Sequence, residues 1–169
     1  MTDVIIQGIN GRMGRVLQEL IAQRNDCRVV AGIDLAASNG DIPVFASFND
    51  LTVKGDVLID FSAPAATRNA IQYCREHKLP CVICTTGLDA ETEAELHELS
   101  SHCAVFKSAN MSMGINLLIK LAKEASLLLG DAYDVEIVEK HHHNKVDAPS
   151  GTALMIADEV NAVNDNKYE

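Results

Sequence analysis

The chain has 169 residues, of which 47% are hydrophobic and 22% are charged, and its formal net charge at pH 7 is -10. This composition is typical of a globular protein, and the length suits one domain and part of a second. An acidic chain with few aromatic residues and no basic stripe is a poor candidate for binding nucleic acid. An anionic ligand would therefore need a local positive site.

The sequence does not open with a basic segment followed by an apolar stretch, and no apolar run approaches the length of a membrane span. We therefore expect a cytoplasmic protein. The five cysteines are scattered through apolar stretches, which predicts reduced thiols in the core rather than a disulfide framework. Cys81 and Cys84 form a Cys-x-x-Cys motif, but its place in a predicted buried strand argues against a redox or zinc site.

A dinucleotide-binding motif is predicted near the N-terminus. The apolar run 3–7 stops at Gly8-Ile-Asn-Gly-Arg-Met-Gly14, and apolar residues then recur at helical spacing. Strand, glycine turn and helix follow one another in this order in a Rossmann unit, whose helix start binds a pyrophosphate. The spacing is G-x-x-G-x-x-G, with Asn10 where the standard motif has glycine. The motif is moderately specific, because a tight glycine turn without a ligand gives the same pattern.

Asp34 ends the next predicted strand, 28–33, twenty residues after Gly14. A carboxylate at this position can accept hydrogen bonds from the hydroxyls of the adenosine ribose. No Lys or Arg directly follows to bind a 2′-phosphate, so we expect NADH to work at least as well as NADPH, although Arg12 could reach that phosphate. A second interpretation, in which Asp34 is only a turn residue, stays open.

The middle of the chain repeats the order of buried strand and helix. The predicted elements are strands over 56–60, 80–84 and 103–106, helices over 64–76 and 90–101, and a loop with one short strand over 40–52. Each long strand ends in small or hydroxyl-bearing residues, and such ends share one edge of a parallel sheet, where ligands bind. The pattern predicts an α/β fold with a Rossmann-type, parallel-sheet dinucleotide-binding domain over residues 1–111.

Residues 112–169 are predicted to form the N-terminal part of an α+β substrate or oligomerisation domain, which we expect to be truncated here. Ser112 is the candidate N-cap of a helix that ends at Gly130. One broad face of this helix is apolar, which predicts core packing rather than a recognition surface. The residues of that face are Leu117, Leu118, Leu121, Ala122, Ala125 and Leu128.

The most distinctive stretch, residues 136–153, reads Glu-Ile-Val-Glu-Lys-His-His-His-Asn-Lys-Val-Asp-Ala-Pro-Ser-Gly-Thr-Ala. Val135 and Ile137 alternate with acidic residues, which predicts a half-buried strand ending near Lys140. Pro149 is tolerated at the start of a helix.

Ser150 is the candidate N-cap of that helix. The predicted buried face of the helix consists of Ala153, Ile156, Ala157 and Val160. Backbone N–H groups around Gly151 and Thr152, at the positive end of the helix dipole, form a candidate site for a carboxylate or phosphate. Lys145 adds a positive charge that can attract an anion or donate a proton.

Simpler interpretations compete with a chemical role for this stretch. A histidine triplet also occurs as solvated loop residues, and Lys145 alone would be read as a surface lysine. Zinc is disfavoured because adjacent strand residues cannot converge on one tetrahedral ion and no further ligand recurs nearby, so we expect no metal. This stretch combines the histidines, Lys145 and a Ser-Gly-Thr helix start within a dozen residues. The combination favours a catalytic or binding role over a solvated loop.

Residues 139–153 resemble the signature of the dihydrodipicolinate reductases, and the resemblance extends through essentially the whole chain. Gly-Arg-Met-Gly, Asp-Phe-Ser-x-Pro, Thr-Thr-Gly and Ala-Asn-x-Ser-x-Gly resemble the cofactor and hinge segments of that family. The resemblance implies an oxidoreductase that uses NADH or NADPH to reduce 4-hydroxy-tetrahydrodipicolinate, a dicarboxylate heterocycle, to tetrahydrodipicolinate in lysine and diaminopimelate biosynthesis. It also implies a homotetramer.

The resemblance assigns roles to particular residues. His141 and Lys145 are the candidate catalytic residues, which would supply the proton that accompanies hydride addition. The candidate substrate-binding residues are His142, Lys145, Ser150, Gly151 and Thr152. The candidate cofactor-binding residues are Gly8, Ile9, Asn10, Gly11, Arg12, Met13, Asp34, Cys84, Thr85, Thr86, Ser108, Ala109, Asn110 and Met111. Domain closure with a hinge over 111–114 is expected to bring hydride donor and acceptor together.

Two other functions stay open. A related Rossmann dehydrogenase acting on an amino-acid semialdehyde would keep the glycine turn, but it would not need the histidine run beside Ser-Gly-Thr. A non-catalytic NAD-sensing module would need a segment that binds DNA or a protein partner, and this acidic sequence shows none. We expect neither a nucleic-acid nor a membrane partner.

Overall fold

The computed structural model describes residues 1–39, 41–143, 145 and 148–168. They divide into two compact units, Met1–Ser108 and Ala109–Glu169.

The first unit is an α/β sheet domain, which confirms the predicted Rossmann-type fold. Its elements are β1 (Thr2–Gln7), α1 (Arg12–Ala22), β2 (Cys27–Ile33), β3 (Ser38–Asn39), β4 (Pro43–Phe45), a short 3-10 helix (Phe48–Asp50), β5 (Val57–Asp60), α2 (Pro64–His77), β6 (Cys81–Ile83), α3 (Ala90–Leu99) and β7 (Val105–Lys107). The sheet has seven strands in the order β3-β4-β2-β1-β5-β6-β7. All neighbouring strands are parallel except β3 and β4, which are antiparallel. In the predicted loop 40–52, Gly40 lies outside the described residues, and β4 is the short strand.

Both faces of the sheet are covered, which explains why its strands read as uninterrupted apolar runs. Successive side chains of a strand point to opposite faces. Ile5 packs in a cluster with Ile71 of α2 and residues of α3. Val4 and Ile6 instead pack in a second cluster with Ile21 of α1. The apolar run of β1 is therefore shared between two cores.

The parallel register aligns the carboxyl ends of five strands at one edge of the sheet. Gln7 pairs with Ile33 of β2 and with Asp60 of β5. Asp60 pairs with Ile83 of β6, which in turn pairs with Lys107 of β7. The loops that follow these residues are the ones in which the sequence predicts a bound dinucleotide.

The second unit contains the helices α4 (Met113–Leu129) and α5 (Gly151–Ala162), with a short 3-10 helix (Gly130–Ala132) after α4. Gly130 ends α4 with a φ of 58°, as its position in the sequence predicts. Ser112 occupies the N-cap position of α4, but its hydroxyl makes no capping hydrogen bond. Instead, the N–H of Ser112 donates to the side-chain oxygen of Asn110 at 2.8 Å.

The predicted strand ending near Lys140 is wrong. Residues 134–140 form no strand, and Val138 is 90% exposed. Alternation of apolar and polar residues describes the two faces of a strand, but a strand also needs a neighbour with which to exchange backbone hydrogen bonds. Among the described residues, no other segment pairs with this one.

The prediction that the leucine face of α4 lies in the core is also wrong. Leu117 is 57% exposed and Leu128 is 87% exposed, and Ile119 and Ser126 are the buried residues of this helix. The amide of Asn164, just beyond α5, donates to the hydroxyl of Ser126 at 2.9 Å. The C-terminal segment therefore packs on a different side of α4 from the leucines.

Helix α5 buries the face that its periodicity predicts. Ala153 and Val160 are buried, and Ile156 and Ala157 are half-buried. Opposite charges also join the two helices, because the ammonium of Lys123 on α4 pairs with the carboxylate of Glu159 on α5.

Candidate functional site

The glycine turn between β1 and α1 leaves no room for side chains at two of its positions. Gly8 has a φ of 77°, in the left-handed region, and a Cβ there would lie 2.5 Å from the carbonyl oxygen of Phe61. A Cβ on Gly14 would lie 2.3 Å from the carbonyl oxygen of Gly8. Both distances are shorter than real Cβ contacts, so glycine is required where the turn meets β5 and where α1 meets the turn.

Asn10 stands where the standard motif has glycine, but its backbone φ is not positive, so this position does not require glycine. Its backbone N–H donates to the Asp34 carboxylate at 2.9 Å, and its side-chain amide donates to the carbonyl of Ala36 at 3.3 Å. Asn10 therefore joins the glycine turn to the loop that follows β2.

The start of α1 is open to an anion. Gly11 is the N-cap residue and supplies no side-chain capping bond, and the first turn of α1 contains no acidic residue. The first N–H groups of a helix lack partners within the helix, and its dipole makes this end positive. The α1 start therefore has the features of a phosphate-binding helix end.

A cavity of about 850 Å³ opens beside this turn. Its volume lies in the upper part of the range for small-molecule sites, about 300–1,000 Å³. Residues from five segments line it, namely the glycine turn, the end of β2, the 3-10 helix, the loop after β5 and α2. They include Gly8, Asn10, Gly11, Asp34, Leu35, Phe48, Asn49, Phe61, Ser62, Ala63, Ala66, Asn69 and Tyr73. Four predicted cofactor-binding residues, Gly8, Asn10, Gly11 and Asp34, thus line one cavity.

Asp34 is held in place by two backbone N–H groups. One carboxylate oxygen accepts from Asn10 at 2.9 Å and the other accepts from Leu35 at 2.8 Å. A carboxylate has about four acceptor positions, so Asp34 retains capacity for two hydroxyl donors from a ligand. Among the described residues that line the cavity, none is Lys or Arg.

A buried carboxylate that was not predicted as a site residue connects the loop after β5, the start of α2 and the loop after β6. Asp60, at the end of β5, is fully buried and accepts hydrogen bonds from the hydroxyls of Ser62 (2.5 Å), Thr67 (2.6 Å) and Thr85 (3.0 Å). The N–H of Ser62 also donates to Asp60 at 3.0 Å. The sequence does contain a signal for this network. It is an Asp at the end of an apolar strand, followed by Ser and Thr at short spacing.

The other predicted cofactor-binding residues of the first unit differ in their exposure. Thr85 is buried in the Asp60 network, whereas Thr86 is exposed. The side chain of Ile9 is buried in the core, so only its backbone faces the turn. Arg12, Met13, Cys84 and Ser108 also belong to this unit. Arg12 and Met13 are exposed at the start of α1, Cys84 is buried, and the Ser108 N–H donates to the Ile83 carbonyl at 3.1 Å.

Cys84 is a poor nucleophile in this environment. Burial raises the pKa of its thiol to about 12, and the negative charge of Asp60 acts in the same direction. The five cysteines are all free, as the sequence predicts. Within the described ranges, no group of three or more His, Cys, Asp or Glu side chains is placed to hold a metal ion.

In the second unit, the start of α5 has the predicted N-cap. The Ser150 hydroxyl accepts from the N–H of Ala153 at 3.1 Å. Thr152, in the first turn, accepts from the amide of Asn110 at 2.9 Å. The first turn of α5 contains no acidic residue, and the N–H groups of Gly151 and Thr152 lie at the positive end of the helix dipole. Ala109 and Met111 lie in this second unit with Asn110, and their contact with a cofactor stays a prediction.

Glu139 connects His141 to the start of α5. One of its carboxylate oxygens accepts from the N–H of Ser150 at 2.8 Å, and the other lies 3.5 Å from Nδ1 of His141. The hydrogen bond from Ser150 lowers the pKa of Glu139, and the charges of His141 and Lys145 act in the same direction. Glu139 was not predicted as a site residue, because its partner Ser150 is eleven positions away.

The remaining residues of the stretch are only partly described. His141, His142 and His143 are exposed, and the N–H of Lys145 donates to the carbonyl of His142 at 3.2 Å. Residues 144, 146 and 147 lie outside the described part of the chain. The structure thus brings together Glu139, His141 and the start of α5, and the charge of Lys145 acts on the same carboxylate.

Two family models match the chain in succession. The model described as "Dihydrodipicolinate reductase, N-terminus" matches residues 2–111, and the model described as "Dihydrodipicolinate reductase, C-terminus" matches residues 114–169. Together they account for nearly the whole sequence.

Curated relatives show the same similarity. The chain is 45% identical over 161 residues to a 4-hydroxy-tetrahydrodipicolinate reductase of Clostridium tetani, covering 95% of this chain and 63% of the relative. It is 46% identical over 169 residues to the protein of the same name from Caldanaerobacter subterraneus, covering 100% of this chain and 67% of the relative. The chain therefore spans about two thirds of the length of these relatives.

Solved structures give a concordant result. A dipicolinate-bound dihydrodipicolinate reductase from Paenisporosarcina sp. TG-14 matches with a TM-score of 0.76 and 30% identity, covering 96% of this chain and 66% of that chain. A scyllo-inositol dehydrogenase from Lactobacillus casei, solved with NAD(H) and scyllo-inositol, matches with a TM-score of 0.60 and 16% identity, covering 75% and 42% of the two chains. The second similarity shows the fold alone.

Proposed function

This chain belongs to the dihydrodipicolinate reductase family, and from that premise we propose that it takes part in the reduction of 4-hydroxy-tetrahydrodipicolinate to tetrahydrodipicolinate with NADH or NADPH. This is the reductase step of lysine and diaminopimelate biosynthesis. The observation that carries the proposal is the joining of His141 to the Ser150-Gly151-Thr152 helix start through Glu139. It supplies a proton-carrying side chain beside a site for a carboxylate.

The first unit fits a nicotinamide dinucleotide. The cavity adjoins both the helix start at Gly11 and the carboxylate of Asp34, so one ligand could place a phosphate at the former and a ribose at the latter. Gly8 and Gly14 allow the close backbone packing on which this arrangement depends. When bound, the nicotinamide supplies the hydride. The absence of Lys and Arg among the described lining residues supports NADH as at least an equal partner to NADPH.

The second unit would bind the substrate and supply the proton. The N–H groups of Gly151 and Thr152, with Lys145 and His142, would hold the carboxylates of the substrate. His141 or Lys145 would donate the proton that balances the added hydride. The reaction consumes one hydride and one proton and releases one water, so an acid close to the reacting ring is required.

We also propose that residues 1–111 form the dinucleotide-binding domain and residues 112–169 the first part of the substrate domain. The limits of the two family matches, 2–111 and 114–169, support this division. A cytoplasmic homotetramer is proposed from the family resemblance. Among the described residues, no helix is both long and apolar enough to cross a membrane.

The test combines binding with turnover. NADH binding is followed by fluorescence, dipicolinate binding by calorimetry, and turnover by oxidation of NADH or NADPH with enzymatically generated 4-hydroxy-tetrahydrodipicolinate. We expect His141→Gln and Lys145→Ala to lower kcat by about 10²–10⁴-fold without loss of NADH binding. Lys140→Ala, in the same exposed segment, is the matched control and should stay near wild type.

Each contradictory outcome has a distinct meaning. A wild-type chain that binds neither NADH nor dipicolinate would overturn the proposed function. A chain that binds NADH but oxidises it only with an amino-acid semialdehyde would replace the substrate assignment.

A further inference from the structure

Glu139 contacts both halves of the proposed proton-transfer site. Its carboxylate lies between the N–H of Ser150, at 2.8 Å, and Nδ1 of His141, at 3.5 Å, and each partner faces a different oxygen. The side chain of Glu139 is 28% exposed and that of His141 is 42% exposed, so water screens the pair only in part. One side chain therefore links the candidate proton donor to the candidate anion site.

The charge of Glu139 argues against a role in attracting the substrate. The Ser150 N–H bond lowers its pKa, so Glu139 is ionised at neutral pH. A negative charge beside the start of α5 repels a dicarboxylate, because like charges disfavour one another at short range. Glu139 thus weakens the attraction for the proposed substrate, and its contribution must be sought in its effect on His141 and Ser150.

The position of the Glu139 carboxylate near Nδ1 favours one form of the imidazole. A carboxylate facing Nδ1 favours a proton on that nitrogen, as the carboxylate partner of a catalytic histidine does. The other nitrogen, Nε2, then faces away from Glu139. In the protonated ring, Nε2 is therefore the nitrogen from which a proton can pass to a ligand.

From these contacts we propose that Glu139 is a positioning residue, which fixes the orientation and tautomer of His141 and holds the N-terminus of α5 beside it. The inference rests on the proposed function and deepens it. It predicts that neutralising Glu139 impairs proton transfer without impairing anion binding. A purely structural carboxylate that only accepts the Ser150 N–H would not have this effect on His141.

Glu139→Gln separates the two roles. The glutamine oxygen can still accept from Ser150, but its NH₂ group is a donor and would face Nδ1 of His141. The variant should therefore keep the helix start and reverse the preferred tautomer of His141. Glu136→Gln is the matched control, because Glu136 is an exposed glutamate in the same segment.

The first measurement is a long-range ¹H–¹⁵N NMR spectrum of the histidine side chains in the full chain, with His141 assigned from His141→Gln. At pH 8.5, where an ordinary imidazole is neutral, we expect the Nδ1–H tautomer of His141 in wild type and in Glu136→Gln. We expect the Nε2–H tautomer in Glu139→Gln. An Nε2–H tautomer in wild type, or no change in Glu139→Gln, would overturn the proposal.

The second measurement is functional and separates binding from chemistry. Dipicolinate should bind Glu139→Gln as tightly as wild type or more tightly, since a repelling charge is removed. With 4-hydroxy-tetrahydrodipicolinate, kcat should fall roughly tenfold or more and KM should not rise. A higher KM with unchanged kcat would overturn the positioning role. The tautomer spectrum needs neither substrate nor turnover, so failure of the proposed function would leave it readable.

Discussion

The hydroxyl of Thr67, in the first turns of α2, donates a 2.6 Å hydrogen bond to the buried carboxylate of Asp60 at the end of β5. Both residues are fully buried. Hydrogen bonds to a buried charged group are among the more valuable ones, because the group has no water to replace a lost partner.

Replacing Thr67 with valine should therefore destabilise the protein. Valine keeps the shape of threonine but leaves Asp60 short of one donor, so we expect the free energy of unfolding to fall by about 1–3 kcal/mol. Urea unfolding followed by circular dichroism measures this loss. Thr67→Ser keeps the hydroxyl and should lose less, and Thr86→Val, at an exposed threonine of the β6 loop, should lose little. Equal stability of Thr67→Val and wild type would show that the bond contributes nothing.

Alanine at Gly14 should damage both folding and cofactor binding. Its Cβ would lie 2.3 Å from the Gly8 carbonyl oxygen, so α1 would have to move away from the turn. We expect a loss of about 1–3 kcal/mol in the free energy of unfolding and weaker NADH binding by fluorescence titration. Gly114→Ala in α4 is the control, since its Cβ would meet no atom nearer than 3.8 Å, and it should be neutral or slightly stabilising. Unchanged NADH affinity in Gly14→Ala would contradict the proposed binding mode.

The choice between NADH and NADPH should depend on Asp34. Asp34→Asn removes a charged acceptor for ribose hydroxyls and also removes a negative charge that would repel a 2′-phosphate. We expect the dissociation constant for NADH to rise about tenfold and the preference to shift toward NADPH. Calorimetry with both dinucleotides measures the two constants, and Asp41→Asn, at an exposed Asp outside the cavity, is the control. A constant ratio of the two affinities would remove Asp34 from the proposed ribose site.

Asp89 should contribute to stability only above strongly acidic pH. The hydrogen bonds that it accepts at the start of α3 from Thr92, and then its pairing with Arg68, lower the pKa of this carboxyl to about 2. A carboxyl whose pKa is lower in the folded state stabilises that state above its unfolded pKa, near 4, and this contribution is lost as pH falls toward 2. The free energy of unfolding should therefore fall less between pH 4 and pH 2 in Asp89→Asn than in wild type. A parallel fall in the two proteins, or an NMR-measured pKa of Asp89 near 4, would contradict the prediction.

The strands of the first unit could be predicted because parallel strands are apolar on both faces. The runs ending at Gln7, Ile33 and Asp60 each place side chains in two cores, and a short apolar run between turn residues is typical of such a strand. The glycine turn could also be predicted, because the positive φ of Gly8 and the close approach of Gly14 to the Gly8 carbonyl depend on residues near in sequence. The sequence therefore predicted the edge at which the cavity lies.

The wrong predictions have the opposite cause, since the features concerned depend on partners that are distant in sequence. Alternation around Val135 and Ile137 shows that a strand is possible but does not provide the neighbour it needs. The apolar face of α4 is visible in Leu117 and Leu121, but periodicity does not say which element will cover it. Glu139 was missed for the same reason, because its partner Ser150 lies eleven positions away, and the contact of Asp60 with Thr85 spans twenty-five positions.

The Asp60 network also bears on how the sheet finds its correct pairing during folding. Asp60 pairs in register with Gln7 and Ile83, and a slip of β5 by one residue would turn its side chain to the opposite face of the sheet. The carboxylate would then be buried without the hydroxyls of Thr67 and Thr85, and the slip would place Ile59 in their polar surroundings. Because burying an unpaired charge costs far more than misplacing an apolar side chain, a misregistered sheet is selectively destabilised. The Asp60 carboxylate therefore favours the native alignment of β5, which the interchangeable apolar residues of this strand cannot specify.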